Sequence, residues 1–190
     1  MGRVVTVQEL EREMAAARRQ GRRIAFANGH FDLLHVGHLR YLAAARSQAD
    51  ALVVAINDDD SVARLKGPGR PLVPAAERAE LVAALVPVDW VVVFEGDTPA
   101  PLLERLRPDV HCKGTDYGVP ENVPEYPVVH GYGGSVRLVG DPKDHATSDL
   151  ITKVRALPRP DVSPGRLASS HSTEMCEQPG ETYGRGTEPE

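Results

Sequence analysis

The sequence predicts an α/β protein with a doubly wound, mostly parallel, five-stranded sheet and a disordered C-terminal tail. Three observations carry this. Short apolar runs alternate with segments of helical period from residue 22 onward. The run "ALVVAIN" (residues 51–57) is apolar throughout rather than alternating, as in a strand covered on both faces. Polar clusters follow the strand-like runs, at the carboxyl edge where such sheets hold ligands.

Each element has its own signal. Thr6 to Glu9 spell a capping box, and Leu10, Met14 and Ala17 continue one helical face that Gly21 can stop. "RRIAFANG" is the first strand and "VGHLRYLAAARSQ" the helix after it. "ALVVAIN" is the second strand, followed by the helix "AAERAELVAALV". "DWVVVF" and "APLLERLR" give the third strand and helix, in which Trp90 and Phe94 are assigned to packing. "DVHCKG" and "SVRLVG" are the fourth and fifth strands, and "TSDLITKVRAL" is the closing helix. Residues 1–157 are expected to form one domain, with an N-terminal helix in 1–21 and the core in 22–157. Residues 158–190, rich in Pro, Gly, Ser and Glu, bury too little to offset chain entropy and are expected to be a disordered tail.

Composition narrows the class. The 190 residues carry a net charge of −5 with no long basic run, which argues against nucleic acid as the main partner. Arg18, Arg19, Arg22 and Arg23 read as cations at a helix C-terminus. Two cysteines, Cys112 and Cys176, make neither a disulfide framework nor a zinc ribbon. No apolar run reaches membrane-spanning length and the N-terminus lacks a signal-peptide core, so a soluble cytoplasmic protein without a membrane partner is expected.

The stretch "GHFDLLHVGH" (residues 29–38) holds three histidines and an aspartate between a strand and a helix. His35 and His38 at a helix start bring two imidazoles and free backbone N–H groups to one point, and Gly37 allows close approach. That suits phosphate chemistry, in which positioning and charge stabilisation do most of the work. A zinc site would need further ligands, and only Asp32 is a nearby carboxylate, so no protein-held metal is expected. The turn also lacks the glycine spacing of a dinucleotide fingerprint. Two incidental histidines at a helix start remain the rival on this motif alone. Asp58, Asp59 and Asp60 read as helix-start carboxylates, with Asp58 also a candidate to reach a nucleotide ribose or a metal. Thr147 and Ser148 read either as a plain N-cap or as phosphate-binding hydroxyls. His111, His130 and His145 have no partner cluster in the sequence, and His30 has no assigned reason.

"ANGHFDLLHVGHLRYLAAA" resembles the signature of the cytidylyltransferase-like nucleotidyltransferase superfamily, marked by His-x-Gly-His. "AINDDDSVARLKGPGRPLVPAAERAELVAAL", "VDWVVVFEGDTP" and "PDVHCKGTDY" resemble the nucleotidyltransferase domain of heptose 1-phosphate adenylyltransferases, from about Gly21 to Leu157. The resemblance implies a Rossmann-like nucleotidyltransferase fold. It implies adenylyl transfer from ATP to a sugar 1-phosphate by direct displacement, with Mg²⁺ arriving on ATP. Catalytic roles fall to His35, His38 and Lys66, the last on a flexible loop. Nucleotide binding falls to Asn28, Gly29, Phe31, Asp32, Gly37, Asp58, Lys113, Thr147 and Ser148, with Asp32 bracing the first loop. Substrate-phosphate contacts fall to Lys66, Arg70, Arg78 and Asp116. A homo-oligomer and a separate sugar kinase upstream are also implied.

Three positions depart from the family pattern: Ala146 for a hydroxyl, Thr115 for a small residue before Asp116-Tyr117, and His30 for an apolar or small residue. Ala146 weakens one contact but leaves two hydroxyls and the backbone, while Thr115 and His30 bear on the sugar site and leave the exact substrate open. One alternative is another sugar or polyol phosphate with ATP or CTP, such as glycerol 3-phosphate with CTP. A non-catalytic nucleotide-binding module is the other alternative, although His35, His38, Lys66 and Lys113 are all in place.

Overall fold

In the computed structural model, residues 1–141 and 147–158 are described. Six strands form one sheet: β1 (Arg3–Val4), β2 (Ile24–Gly29), β3 (Ala51–Asn57), β4 (Trp90–Phe94), β5 (Val110–Lys113) and β6 (Ser135–Leu138). Their order is β1-β4-β3-β2-β5-β6, and every pairing is parallel. The helices are α1 (Val7–Arg19), α2 (Val36–Arg46), α3 (Asp59–Lys66), α4 (Ala75–Ala83), α5 (Ala100–Leu106), α6 (Tyr126–Gly131) and α7 (Thr147–Ala156). Two 3-10 turns, Thr115–Tyr117 and Pro120–Asn122, lie between β5 and α6.

The strands sort their side chains by the two-residue period of the pleat. Ile24, Phe26, Ala51, Val53, Ala55, Trp90, Val92 and Phe94 face one layer, with Leu10 and Met14 of α1, Leu102, Leu103 and Leu106 of α5 and Val129 of α6. Ala25, Ala27, Leu52, Val54, Ile56 and Val91 face the other, with Leu42 and Ala45 of α2 and Ala79 and Val82 of α4. Both faces of β3 are buried, which is why its sequence is apolar without interruption. Trp90 and Phe94 are core residues. The capping box at Thr6 and Glu9 is formed.

The chain runs from β2 out through β3 and β4, then returns to place β5 and β6 on the other side of β2. Strand order therefore reverses between β2 and β5, and a crevice opens at their carboxyl ends.

Three expectations are corrected. The sheet has six strands rather than five. Arg3 and Val4 pair with Trp90 and Val91, an edge strand too short to give a sequence signal. Gly2 makes that approach possible, since a Cβ there would lie 2.6 Å from the Val88 carbonyl oxygen. The first 21 residues thus supply a sheet edge as well as a helix. Lys66 is the last residue of α3, closed by Gly67 at φ 89°, rather than part of a flexible loop. Helix α6 fills a segment for which the sequence predicts no element.

One unit of the chain spans Met1–Arg155. Of the remainder only residues 156–158 are described, so Cys176 and the expected tail beyond residue 158 fall outside the described residues, as do His145 and Ala146 within 142–146.

Candidate active site

Strand β2 ends in a turn with an unusual backbone. Phe31 has φ 48°, a left-handed conformation that bulky residues rarely adopt, and its ring packs where a Cβ on Gly29 would come within 3.0 Å. Asp32 stabilises this turn from inside. Its Oδ1 accepts hydrogen bonds from Leu72 N at 2.7 Å and Val73 N at 2.9 Å, and Arg70 Nη2 lies 2.9 Å from Oδ2.

The turn leads into α2. His35 occupies the N-cap with extended φ −143° and ψ 170°, and its side chain does not cap the helix. His38 lies one turn on, so the two imidazoles share a face and stack with centroids 3.8 Å apart and planes 23° off parallel. The Phe31 ring backs His38 at 5.2 Å. Burial, then the adjacent His35, pushes the His38 imidazole down to about 4, so it is neutral at physiological pH. A neutral imidazole keeps one donor and one acceptor. His30 is likewise held at about 4, by burial first and then by the cations of Lys66, Arg78 and Arg70, with Asp32 opposing.

Lys113 closes β5. Its Nζ donates to Asn28 Oδ1 at 3.1 Å across the β2–β5 crevice, lies 3.4 Å from Glu125 Oε2 and sits 5.6 Å from the centre of the Tyr117 ring. His111, two residues earlier and on the same side of the strand, is fully buried with Nε2 3.7 Å from Glu125 Oε2. Burial alone would raise the Glu125 carboxyl. The neighbouring His111 and Lys113 outweigh it and hold the group down to about 2.

One cleft of about 990 Å³ opens among these elements. It contains Asn28, Gly29, Phe31, Asp32, His35, Gly37, His38, Lys66, Arg70, Lys113, Asp116, Thr147 and Ser148, all singled out in the sequence. Thr147 stands at the start of α7 and donates to the Leu33 carbonyl at 3.4 Å, tying α7 to the turn before α2.

Two sequence candidates are placed elsewhere. Arg78 is 0% exposed, and its guanidinium is spent on Val73 O (2.9 Å), Asn57 O (2.9 Å), the Asp59 carboxylate (2.7 Å) and His30 O. It is a strut beneath the cleft rather than a phosphate ligand. Asp58 is the N-cap of α3, accepting from Ser61 N at 3.0 Å, and does not line the cleft.

The structure adds residues that the sequence did not mark. Tyr41 lines the cleft and donates to Cys112 O at 2.7 Å, while Thr98 and Glu125 enter from turns before α5 and α6. Nothing local to "VPENVPEY" marks Glu125, because only the fold brings it to Lys113. His111 carried one usable signal, its place two residues before Lys113 on a strand, which puts both on one face.

The parallel doubly wound sheet thus carries stacked imidazoles at a helix start and cations across a switch-point crevice. Residues 26–149 match the cytidylyltransferase-like family model. The chain belongs to the cytidylyltransferase-like family.

Its relatives include proteins named bifunctional protein HldE. That of Azotobacter vinelandii is 46% identical over 155 residues, covering 82% of this chain and 32% of the relative. That of Alcanivorax borkumensis is 50% identical over 139 residues, covering 73% and 29%. The chain thus spans about a third of the length of these curated relatives. Among solved structures, the lipopolysaccharide core biosynthesis protein of Thermoplasma volcanium is 26% identical with a TM-score of 0.54, covering 64% of this chain and 100% of that one. Pantoate-beta-alanine ligase of Francisella tularensis, at 12% identity and TM-score 0.54, covers 82% of this chain and 77% of that one, and shares the fold alone. No helix among the described residues is long and apolar enough to cross a membrane.

Proposed function

We propose that this chain transfers the adenylyl group of ATP to a sugar 1-phosphate, D-glycero-D-manno-heptose 1-phosphate, giving ADP-heptose and pyrophosphate. The observation that carries the reading is the convergence of His35 and His38 at the α2 start with Lys66, Arg70 and Lys113 in one cleft. The similarity to HldE proteins supports the choice of adenylyl and heptose.

A phosphate oxygen of the acceptor attacks the α-phosphorus of ATP. The bond from that phosphorus to the β-phosphate bridging oxygen breaks, and pyrophosphate leaves with the electron pair. The chain's own groups position and stabilise. His38, neutral and desolvated, and His35 beside it direct hydrogen bonds at phosphate oxygens near the α2 N-terminus. Lys66 and Arg70 balance phosphate charge from the α3 side, and Thr147 and Ser148 contribute hydroxyls from α7.

Among the described residues no group of three His, Cys, Asp or Glu side chains could hold a metal ion. In this reading Mg²⁺ enters as part of the Mg–ATP substrate. Because the acceptor carries a phosphate, a phosphorylating reaction must supply it.

The test is pyrophosphate release over a grid of ATP, CTP, GTP and UTP against both anomers of D-glycero-D-manno-heptose 1-phosphate, glycerol 3-phosphate and no acceptor. Turnover confined to ATP with one heptose anomer is expected. Turnover with CTP and glycerol 3-phosphate would reassign the substrates. A rise in Tm with ATP but no pyrophosphate from any acceptor would favour a binding module.

A further inference from the structure

A chain of polar side chains runs from the core to the cleft along the end of β5. His111 and Lys113 are two residues apart, so both point to the same side of the sheet. His111 is fully buried, with its ring 5.7 Å from that of Phe26 in the layer under α1, and it does not line the cleft. Glu125, just before α6, stands between the two. Its Oε2 lies 3.7 Å from His111 Nε2 and 3.4 Å from Lys113 Nζ, and its Oε1 accepts from Thr98 Oγ1 at 3.5 Å. Lys113 ends the chain. Its side chain is 11% exposed and lines the cleft, with Nζ donating to Asn28 Oδ1 at 3.1 Å.

An ammonium this deep needs an anion beside it. Without one, the cost of desolvation favours swinging the head group out to water on its flexible stem. Glu125 is the anion, and it is ionised at physiological pH. An ammonium has three N–H donors. Asn28 takes one and Glu125 faces another, which leaves one for a ligand in the cleft. Two anchors from separate segments thus fix where that last donor points. His111 limits retreat of the carboxylate on the side away from the cleft.

We infer that Glu125, backed by His111, is a positioning residue: it keeps the Lys113 ammonium at the β2–β5 crevice so that the remaining N–H meets an oxygen of a bound substrate. The identity of the substrates rests on the function proposed above. Glu125 itself touches no substrate in this account and acts only through Lys113.

The experiment is a double-mutant cycle read by calorimetry, below the Tm of each variant. The ligands are a non-hydrolysable ATP analogue and, on protein saturated with it, D-glycero-D-manno-heptose 1-phosphate. Lys113→Met should weaken one of the two by about 10- to 100-fold, the range for a hydrogen bond to a charged group. Glu125→Gln should weaken the same ligand by about 3- to 30-fold, and should weaken it no further in the Lys113→Met background. His111→Leu should follow the same pattern, and His111→Gln, which keeps an N–H near the place of Nε2, should restore most of the loss. Should Glu125→Gln fail to fold, Glu125→Asp, which keeps the charge but retracts it by one methylene, is read in the same cycle.

Losses that persist undiminished in the Lys113→Met background would overturn the inference, since a merely structural role adds independently of Lys113. Tighter binding in Glu125→Gln would also overturn it, because the carboxylate would then only repel the ligand. So would unchanged affinity for both ligands in Lys113→Met. Wild-type binding of both ligands without pyrophosphate release would defeat the catalytic reading and leave the cycle to decide this one. Failure of the wild-type protein to bind either ligand would defeat both.

Discussion

The Arg70 guanidinium lies 2.9 Å from the Asp32 carboxylate, and the other oxygen of that carboxylate holds the backbone N–H groups of Leu72 and Val73. One buried acid thus joins the β2 turn to the segment before α4 and orients a cation into the cleft. Replacing Asp32 by Ala should cost about 1.5–3 kcal/mol of stability for the lost charge-assisted hydrogen bonds. It should also raise the KM for substrate, because Arg70 loses its anchor. Denaturant unfolding and steady-state kinetics check the two effects separately, and an unchanged KM would remove Arg70 from the site.

His35 and His38 stack as a pair at the start of α2. His35→Ala and His38→Ala should each lower kcat by roughly 10²–10³, the cost of one transition-state donor. Neither imidazole caps the helix or fills the core, so circular dichroism should be unchanged. Near-normal pyrophosphate release from both variants would sink the proposed site.

Arg78 reaches the carbonyls of Val73, Asn57 and His30 at once. Arg78→Met should destabilise the fold by about 3 kcal/mol or more, since each buried carbonyl stripped of its donor costs about 1–3 kcal/mol. Thermal unfolding reads the effect. Full stability with a selective rise in KM would return Arg78 to the role of a phosphate ligand.

His30 and His38 are both held at about 4 against an ordinary 6.5, through burial first. Between those values the unfolded chain binds protons that the folded protein refuses. The stability this confers is complete above pH 6.5 and is lost as pH falls toward 4. Tm should therefore fall across that window, and the double variant His30→Gln/His38→Gln should show a shallower fall. Identical slopes would show that other groups set the acid sensitivity.

In the proposed reaction Mg²⁺ arrives on ATP, so chelation should act on the substrate rather than on the protein. EDTA should abolish pyrophosphate release, added Mg²⁺ should restore it, and the Tm of the nucleotide-free protein should not respond to EDTA. A lower Tm in EDTA would indicate a structural metal.

Much of this protein is written locally. The alternation of "IAFANG" and "ALVVAIN" with helical segments determines a parallel sheet, because period and continuous burial are properties of short stretches. His35, Gly37 and His38 were legible because one helix start presents them all. Tertiary structure alone decided the rest. It turned Arg78 from a candidate ligand into a strut, since its three carbonyl partners come from separate segments. It brought Glu125 to Lys113 and His111, and Thr98 to Glu125, across loops with no periodic signal. A side chain's charge and reach belong to the sequence, whereas its partners are fixed by the packing of elements distant in the chain.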